Sequence, residues 1–109
     1  MDVKKVIVQV MSGADDGKVF TLTKLPFTLG RLPDDDVSLP YDTRVSRRHA
    51  RVSGEGEKYF IEDIGAESKG STNGTAINDT KISASTPLLP GDMVLLGTVW
   101  VKFSIVMVR

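Results

Sequence analysis

The stretch Arg44-Val45-Ser46-Arg47-Arg48-His49-Ala50-Arg51-Val52-Ser53-Gly54-Glu55-Gly56-Glu57-Lys58-Tyr59-Phe60-Ile61 decides how this chain is read. Its second half is a hairpin. Ala50 and Val52 alternate with Arg51 and Ser53, Gly54-Glu55-Gly56 turns the chain, and Tyr59-Phe60-Ile61 runs back. Its first half gathers four arginines and a serine into the eight residues Arg44–Arg51, in a protein whose formal net charge is +0. Positive charge is concentrated at one place rather than spread for solubility. Guanidinium forks, hydroxyls and turn amides are the groups that hold a phosphate.

Outward from this hairpin the pattern is strand and turn throughout. Val6, Val8 and Val10 alternate with Ile7, Gln9 and Met11, and both sets are largely apolar, which predicts a strand buried on both faces. A turn cluster over 12–17 leads to Val19-Phe20-Thr21-Leu22, and Pro26 precedes Phe27-Thr28-Leu29, which ends at Gly30. Leu32-Pro33 and three aspartates interrupt the chain before Val37-Ser38-Leu39. Residues 65–74 read as a long polar loop, and Thr75-Ala76-Ile77 and Lys81-Ile82 flank the turn Asn78-Asp79. Pro90-Gly91-Asp92 turns into Met93-Val94-Leu95-Leu96, and residues 99–108 place Val101, Phe103, Ile105 and Met107 on one face. About ten short strands, with no window of helical period, predict an all-β chain folded as an antiparallel β-sandwich.

Composition narrows the function. A length of 109 residues suits a single domain, here 1–109 with its core over about 3–108, and 40% hydrophobic with 26% charged residues is ordinary for a globular fold. Balanced charge argues against nucleic-acid binding, which usually needs a strongly basic domain. With no cysteine, disulfides, thiol nucleophiles and thiolate metal sites are excluded; one histidine rules out a histidine-rich metal site. No apolar run approaches the roughly 20 residues of a membrane span. Met1-Asp2-Val3-Lys4-Lys5 opens into a strand-like pattern rather than a signal peptide, so the expected compartment is cytoplasmic. The expected state is a monomer, and the lack of any effector region suggests an excised piece or a small adaptor.

Three groups of residues compete for a chemical role. Ser46, His49 and Asp63 have the residue types of a hydrolase triad, but Ser46 and His49 stand three positions apart with no nucleophile elbow. A polar loop with a buried structural histidine is the better reading. Asp34-Asp35-Asp36 lacks the spaced ligands and closing glutamate of a calcium loop and reads as a solvated turn. The arginine cluster, taken alone, reads as a solvated loop paired with Asp34, Asp35, Asp36 and Asp42. Coordinated features favour function. Gly30-Arg31 ends a strand where a glycine permits close approach, Ser46 puts a hydroxyl among guanidinium groups, and Thr72-Asn73-Gly74 sits in a loop at an end of the sandwich.

Taken in order, Gly30-Arg31, Ser46-Arg47-Arg48-His49-Ala50, Asp63, Ser71-Thr72-Asn73-Gly74-Thr75, Leu89-Pro90-Gly91-Asp92 and Leu96-Gly97 resemble a forkhead-associated (FHA) domain over nearly the whole chain. The resemblance implies a sandwich of about eleven short strands whose loops at one end bind phosphothreonine peptides, with no enzymatic activity and no cofactor or metal. It implies that Arg31 reaches the phosphopeptide, that Ser46 bonds the phosphate and that Arg47 or Arg48 adds a second phosphate contact. Thr72 matches another phosphate-side residue and Asn73 the asparagine that holds the peptide main chain. Gly30, His49 and Gly74 would shape the site, with His49 bracing the loop. Arg44 sits where the family often places a selector for the third residue after the phosphothreonine. One departure stands out: residues 64–70 make the loop between Asp63 and Ser71 longer than in many members, where two or three residues suffice.

The reading is therefore a phosphothreonine-dependent protein interaction module of Ser/Thr-kinase signalling. Its partner is a phosphothreonine-containing protein or peptide, not nucleic acid and not membrane. The alternative is a phosphate-independent scaffold or autoinhibitory domain on the same sandwich.

Overall fold

The first and last strands of the chain form the spine of the molecule. In a computed structural model, which describes residues 3–65 and 74–108, β1 (Val3–Val10) pairs antiparallel with β11 (Val99–Val108), from Val3 opposite Val108 to Val10 opposite Val101. Their β-branched and aromatic residues suit a pleated, half-buried surface. Val6, Val8 and Val10 of β1 meet Val99, Val101 and Phe103 of β11 in the core, each at most 4% exposed. The opposite face of β1 is only half-buried at Ile7 and Gln9, and Met11 beyond it is exposed. Burial on both faces, expected from the sequence, is thus confined to one: no second layer covers the outer face among the described residues.

Among the described residues, nine more strands complete two sheets: β2 (Val19–Leu22), β3 (Phe27–Gly30), β4 (Val37–Ser38), β5 (Ala50–Glu55), β6 (Lys58–Asp63), β7 (Thr75–Ile77), β8 (Thr80–Lys81), β9 (Thr86–Leu88) and β10 (Met93–Leu96). One sheet has the order β2-β1-β11-β10-β7-β8 and the other β4-β3-β5-β6-β9. A single cluster of buried side chains joins them, with Phe27, Leu29, Val52 and Ile61 from one sheet and Val8, Leu96, Val101 and Phe103 from the other. Tyr59 closes one end edge-on to Phe103 at 5.5 Å between ring centroids. Each such fully buried side chain contributes about 1.5–3 kcal/mol by leaving water.

Two details depart from the sequence reading. The sandwich is antiparallel except at β3–β4, which run parallel with Leu29 opposite Val37 and Gly30 opposite Ser38. The loop between them is folded back by its own aspartates. Asp35 Oδ2 accepts the Leu32 N–H at 3.0 Å, the Asp35 N–H donates to Leu32 O at 3.1 Å, and Asp36 Oδ2 accepts the Thr28 N–H at 2.9 Å. The aspartate run is therefore not simply a solvated turn, since Asp35 is 4% exposed. The second detail is β9, which carries Pro87 and escaped the strand pattern. It lies at a sheet edge, pairing only with β6, where a missing N–H costs no ladder bond.

Candidate functional site

The hairpin that opens the reading forms as expected, with Ala50 opposite Asp63 and Glu55 opposite Lys58. It splits the arginine cluster. Arg51 lies on the outer face of β5 opposite Glu62 and forms a guanidinium–carboxylate pair with it, so it belongs to the sheet surface. Arg44, Arg47 and Arg48 lie in the loop from Leu39 to His49 that joins β4 to β5. That loop, the β3–β4 loop, the segment leading into β7 at Gly74 and the β10–β11 turn at Gly97 meet at one end of the sandwich.

His49 fastens them together. It is wholly buried, and its own N–H donates to Leu29 O of β3 at 2.8 Å. The Ser46 N–H donates to His49 Nδ1 at 2.9 Å. A backbone amide can only donate, so Nδ1 is unprotonated and Nε2 carries the hydrogen that reaches Gly74 O at 2.8 Å. The His49 carbonyl in turn accepts from Ile64 at 3.1 Å and Gly65 at 3.2 Å. Burial pushes the imidazole below its ordinary pKa, opposed by the bond to Gly74 and the charge of Asp63. Both ring nitrogens are thus held by main chain. No Ser46–His49 nucleophile–base pair forms, and Asp63 Oδ2 instead accepts the Thr75 hydroxyl at 2.8 Å.

The glycines explain themselves at this junction. A Cβ on Gly30 would lie 2.4 Å from Asp35 Oδ2 and 2.5 Å from Arg48 N. Gly97, at φ +63°, would place one 2.3 Å from Arg44 O, while its N–H donates to the same Gly74 carbonyl that His49 uses, at 3.1 Å. Gly74 itself has φ +83°.

Arg31 follows Gly30 directly and is half-buried. Its N–H donates to Ser46 O at 3.2 Å and its Nε to Val45 O at 3.0 Å, so the terminal nitrogens of the guanidinium remain for an anion beside Ser46. Arg48 has φ +49°, a left-handed conformation that costs a non-glycine residue on the order of 1 kcal/mol. Its guanidinium stands 3.7 Å from Asp34, and both side chains are largely exposed. Arg47 is exposed and makes no ion pair among the described residues. Arg44 is exposed; Asp42, a partner considered for it, receives the Ala14 N–H at 3.3 Å. The structure therefore brings together Gly30, Arg31, Ser46, Arg48, His49 and Gly74, with Arg44 and Arg47 on the same loop. Thr72 and Asn73, like most of the long loop, lie outside the described residues. Asp35 was missed, because three successive aspartates gave no sign that the middle one turns inward.

Comparison with known proteins fits this arrangement. The family model described as FHA domain matches residues 27–97, which include every one of these site positions, and the chain belongs to that family. FhaB of Mycobacterium tuberculosis, an FHA domain-containing protein, is 35% identical over 88 residues, covering 81% of this chain and 53% of that protein. The chain spans about half the length of such curated relatives. A structure solved in a structural and functional analysis of phosphothreonine-dependent FHA domain interactions matches with a TM-score of 0.76 and 29% identity, covering 92% of this chain and 95% of that one. The kinase-interacting FHA domain of the kinase-associated protein phosphatase of Arabidopsis matches with a TM-score of 0.81 and 27% identity, covering 97% of each. FHA domains are protein interaction modules. No helix among the described residues is long and apolar enough to cross a membrane.

Proposed function

We propose that this domain captures phosphothreonine-bearing segments of partner proteins marked by Ser/Thr kinases, as a cytoplasmic monomeric module without catalytic turnover. The observation that carries the reading is the double tie between Arg31 and the Val45–Ser46 main chain, which fixes the Arg31 guanidinium against the loop that bears Ser46, above a buried histidine that accepts the Ser46 amide. A phosphate brings a charge of about −1.5 to −2 and three acceptor oxygens. Arg31 and Arg47 or Arg48 supply charge-assisted bonds of about 1.5–3 kcal/mol each, and Ser46 and Thr72 supply neutral ones of about 1 kcal/mol. The exposed Arg48–Asp34 pair is worth about 0–1 kcal/mol and yields readily to a dianion. Asn73, with both donor and acceptor, pairs with the peptide main chain. Arg44 selects the third residue after the phosphothreonine.

The similar domain studied for phosphothreonine-dependent interactions supports the ligand class. After ordering costs, micromolar affinity is the expected scale, about −8 kcal/mol. An oriented phosphothreonine peptide library, screened beside its unmodified counterpart, tests the reading. Enrichment from the phosphorylated library alone supports it; equal recovery from both would replace it with the phosphate-independent scaffold.

A further inference from the structure

Asp35 is a charged side chain at the floor of the proposed site, 4% exposed and without an ion-pair partner among the described residues. Its Oδ1 has no hydrogen-bonding partner among the described residues, whereas Oδ2 is crowded. Oδ2 accepts the Leu32 N–H at 3.0 Å and the Arg48 N–H at 3.3 Å. Leu32 is the residue after Arg31, and Arg48 is itself a candidate phosphate contact. One oxygen therefore links the two loops that carry the guanidinium groups. The link exists only because residue 30 lacks a side chain, since a Cβ there would lie 2.4 Å from the same oxygen. It also meets the amide of Arg48, which at φ +49° is the one non-glycine residue of the site with a left-handed conformation among the described residues.

We infer that Asp35 is a positioning residue for phosphopeptide binding: its buried Oδ2 fixes the Arg31 and Arg48 main chains relative to each other before the ligand arrives. The inference rests on the proposed function. What Asp35 contributes is an acceptor in the right place, not its negative charge, which opposes an incoming phosphate. Preorganisation of this kind raises affinity by removing an ordering cost from binding. An asparagine keeps the acceptor and drops the charge; an alanine loses both.

The test compares wild type, Asp35→Asn, Asp35→Ala and a buried control, Val37→Ala, by anisotropy with a phosphothreonine peptide and by amide hydrogen exchange of the free domains. Asp35→Ala should weaken binding by about tenfold, because the two loops must then be ordered at the moment of binding, and speed exchange at Leu32 and Arg48. Asp35→Asn should bind within about threefold of wild type and keep both amides protected. Val37→Ala should lose stability with unchanged affinity while folded. Wild-type affinity in Asp35→Ala overturns the inference, as does weakened binding in Asp35→Asn, or an equal loss in Val37→Ala. If wild type ignores the phosphate, the proposed function falls instead. Exchange then decides the role of Asp35 alone, and amides equally protected in Asp35→Ala overturn it. Should Asp35→Ala fail to fold, Asp35→Glu, which keeps the charge but displaces the acceptor, takes its place: the same losses are expected, and wild-type affinity with protected amides overturns the inference.

Discussion

The Nε2–H of His49 donates to the carbonyl of Gly74 at 2.8 Å, across 25 residues of sequence, while its Nδ1 receives the Ser46 amide. One side chain thereby ties the loop bearing Ser46 to the segment that follows Asn73. Replacing it removes two bonds and leaves a cavity. We expect His49→Ala to cost about 2–4 kcal/mol of stability and to weaken phosphopeptide binding as well. For a domain of this size that lowers the melting temperature by roughly 8 °C or more. Thermal melts beside binding curves check it, and unchanged values in both would remove His49 from its bracing role.

The same bond pattern sets a pH dependence. Nδ1 can accept from Ser46 only while unprotonated, and burial lowers the His49 pKa below the ordinary value of 6.5. Between the lowered pKa and 6.5 the unfolded chain binds more protons than the folded one. Stability from this residue is therefore complete above pH 6.5 and declines as pH falls through that interval, by at most about 1.4 kcal/mol per pH unit. Urea midpoints measured between about pH 7.5 and pH 5 for wild type and His49→Ala isolate the effect. A midpoint that falls equally in both proteins would assign the pH dependence to other groups.

Gly30→Ala forces a Cβ onto Arg48 N and Asp35 Oδ2. Because one of these is backbone, the loops must separate, and we expect a loss of about 2 kcal/mol or more together with binding. Gly56→Ala, at φ +63° with open space around it, should cost only about 1 kcal/mol and leave binding intact. Equal behaviour of the two variants in melts and titrations would refute the close-approach account.

Much of this was legible from residue types alone. The period-two runs of β5, β6, β10 and β11 declared themselves, because one face of each is core and the other is not. The order Gly30-Arg31, Ser46, His49 and Gly74 was read from the family resemblance, and the fold sets these residues at one end of the sandwich. What stayed hidden depends on contacts that sequence spacing does not encode. The parallel turn of β4 onto β3 rests on carboxylate caps from Asp35 and Asp36. The departure of Arg51 from the cluster follows from register, which sets it opposite Glu62. β9 was hidden by Pro87, which only an edge position tolerates.

Arg44 offers a test of selectivity. It is exposed on the Leu39–His49 loop, with its main-chain carbonyl pressed against Gly97. If its guanidinium selects the third residue after the phosphothreonine, aspartate there should be preferred over alanine, and alanine over lysine, by a few-fold at each step, the scale of an exposed pair. Arg44→Ala should flatten the series. Peptides ranked equally by wild type, or ranked the same by Arg44→Ala, would show that another residue selects.

The central claim is that binding requires the phosphate and that Arg31 reads it. Fluorescence anisotropy with one peptide in threonine, phosphothreonine and phosphoserine forms, against wild type and Arg31→Ala, tests it most directly. The account predicts micromolar binding of the phosphothreonine form, about −8 kcal/mol. It also predicts at least a several-fold loss with phosphoserine, from one unburied methyl of about 0.8 kcal/mol. The unmodified peptide should not bind, and Arg31→Ala should lose affinity while staying folded, with a stability loss of about 1.5–3 kcal/mol from its Nε bond to Val45 O. Equal affinity for the phosphorylated and unmodified forms would contradict the account.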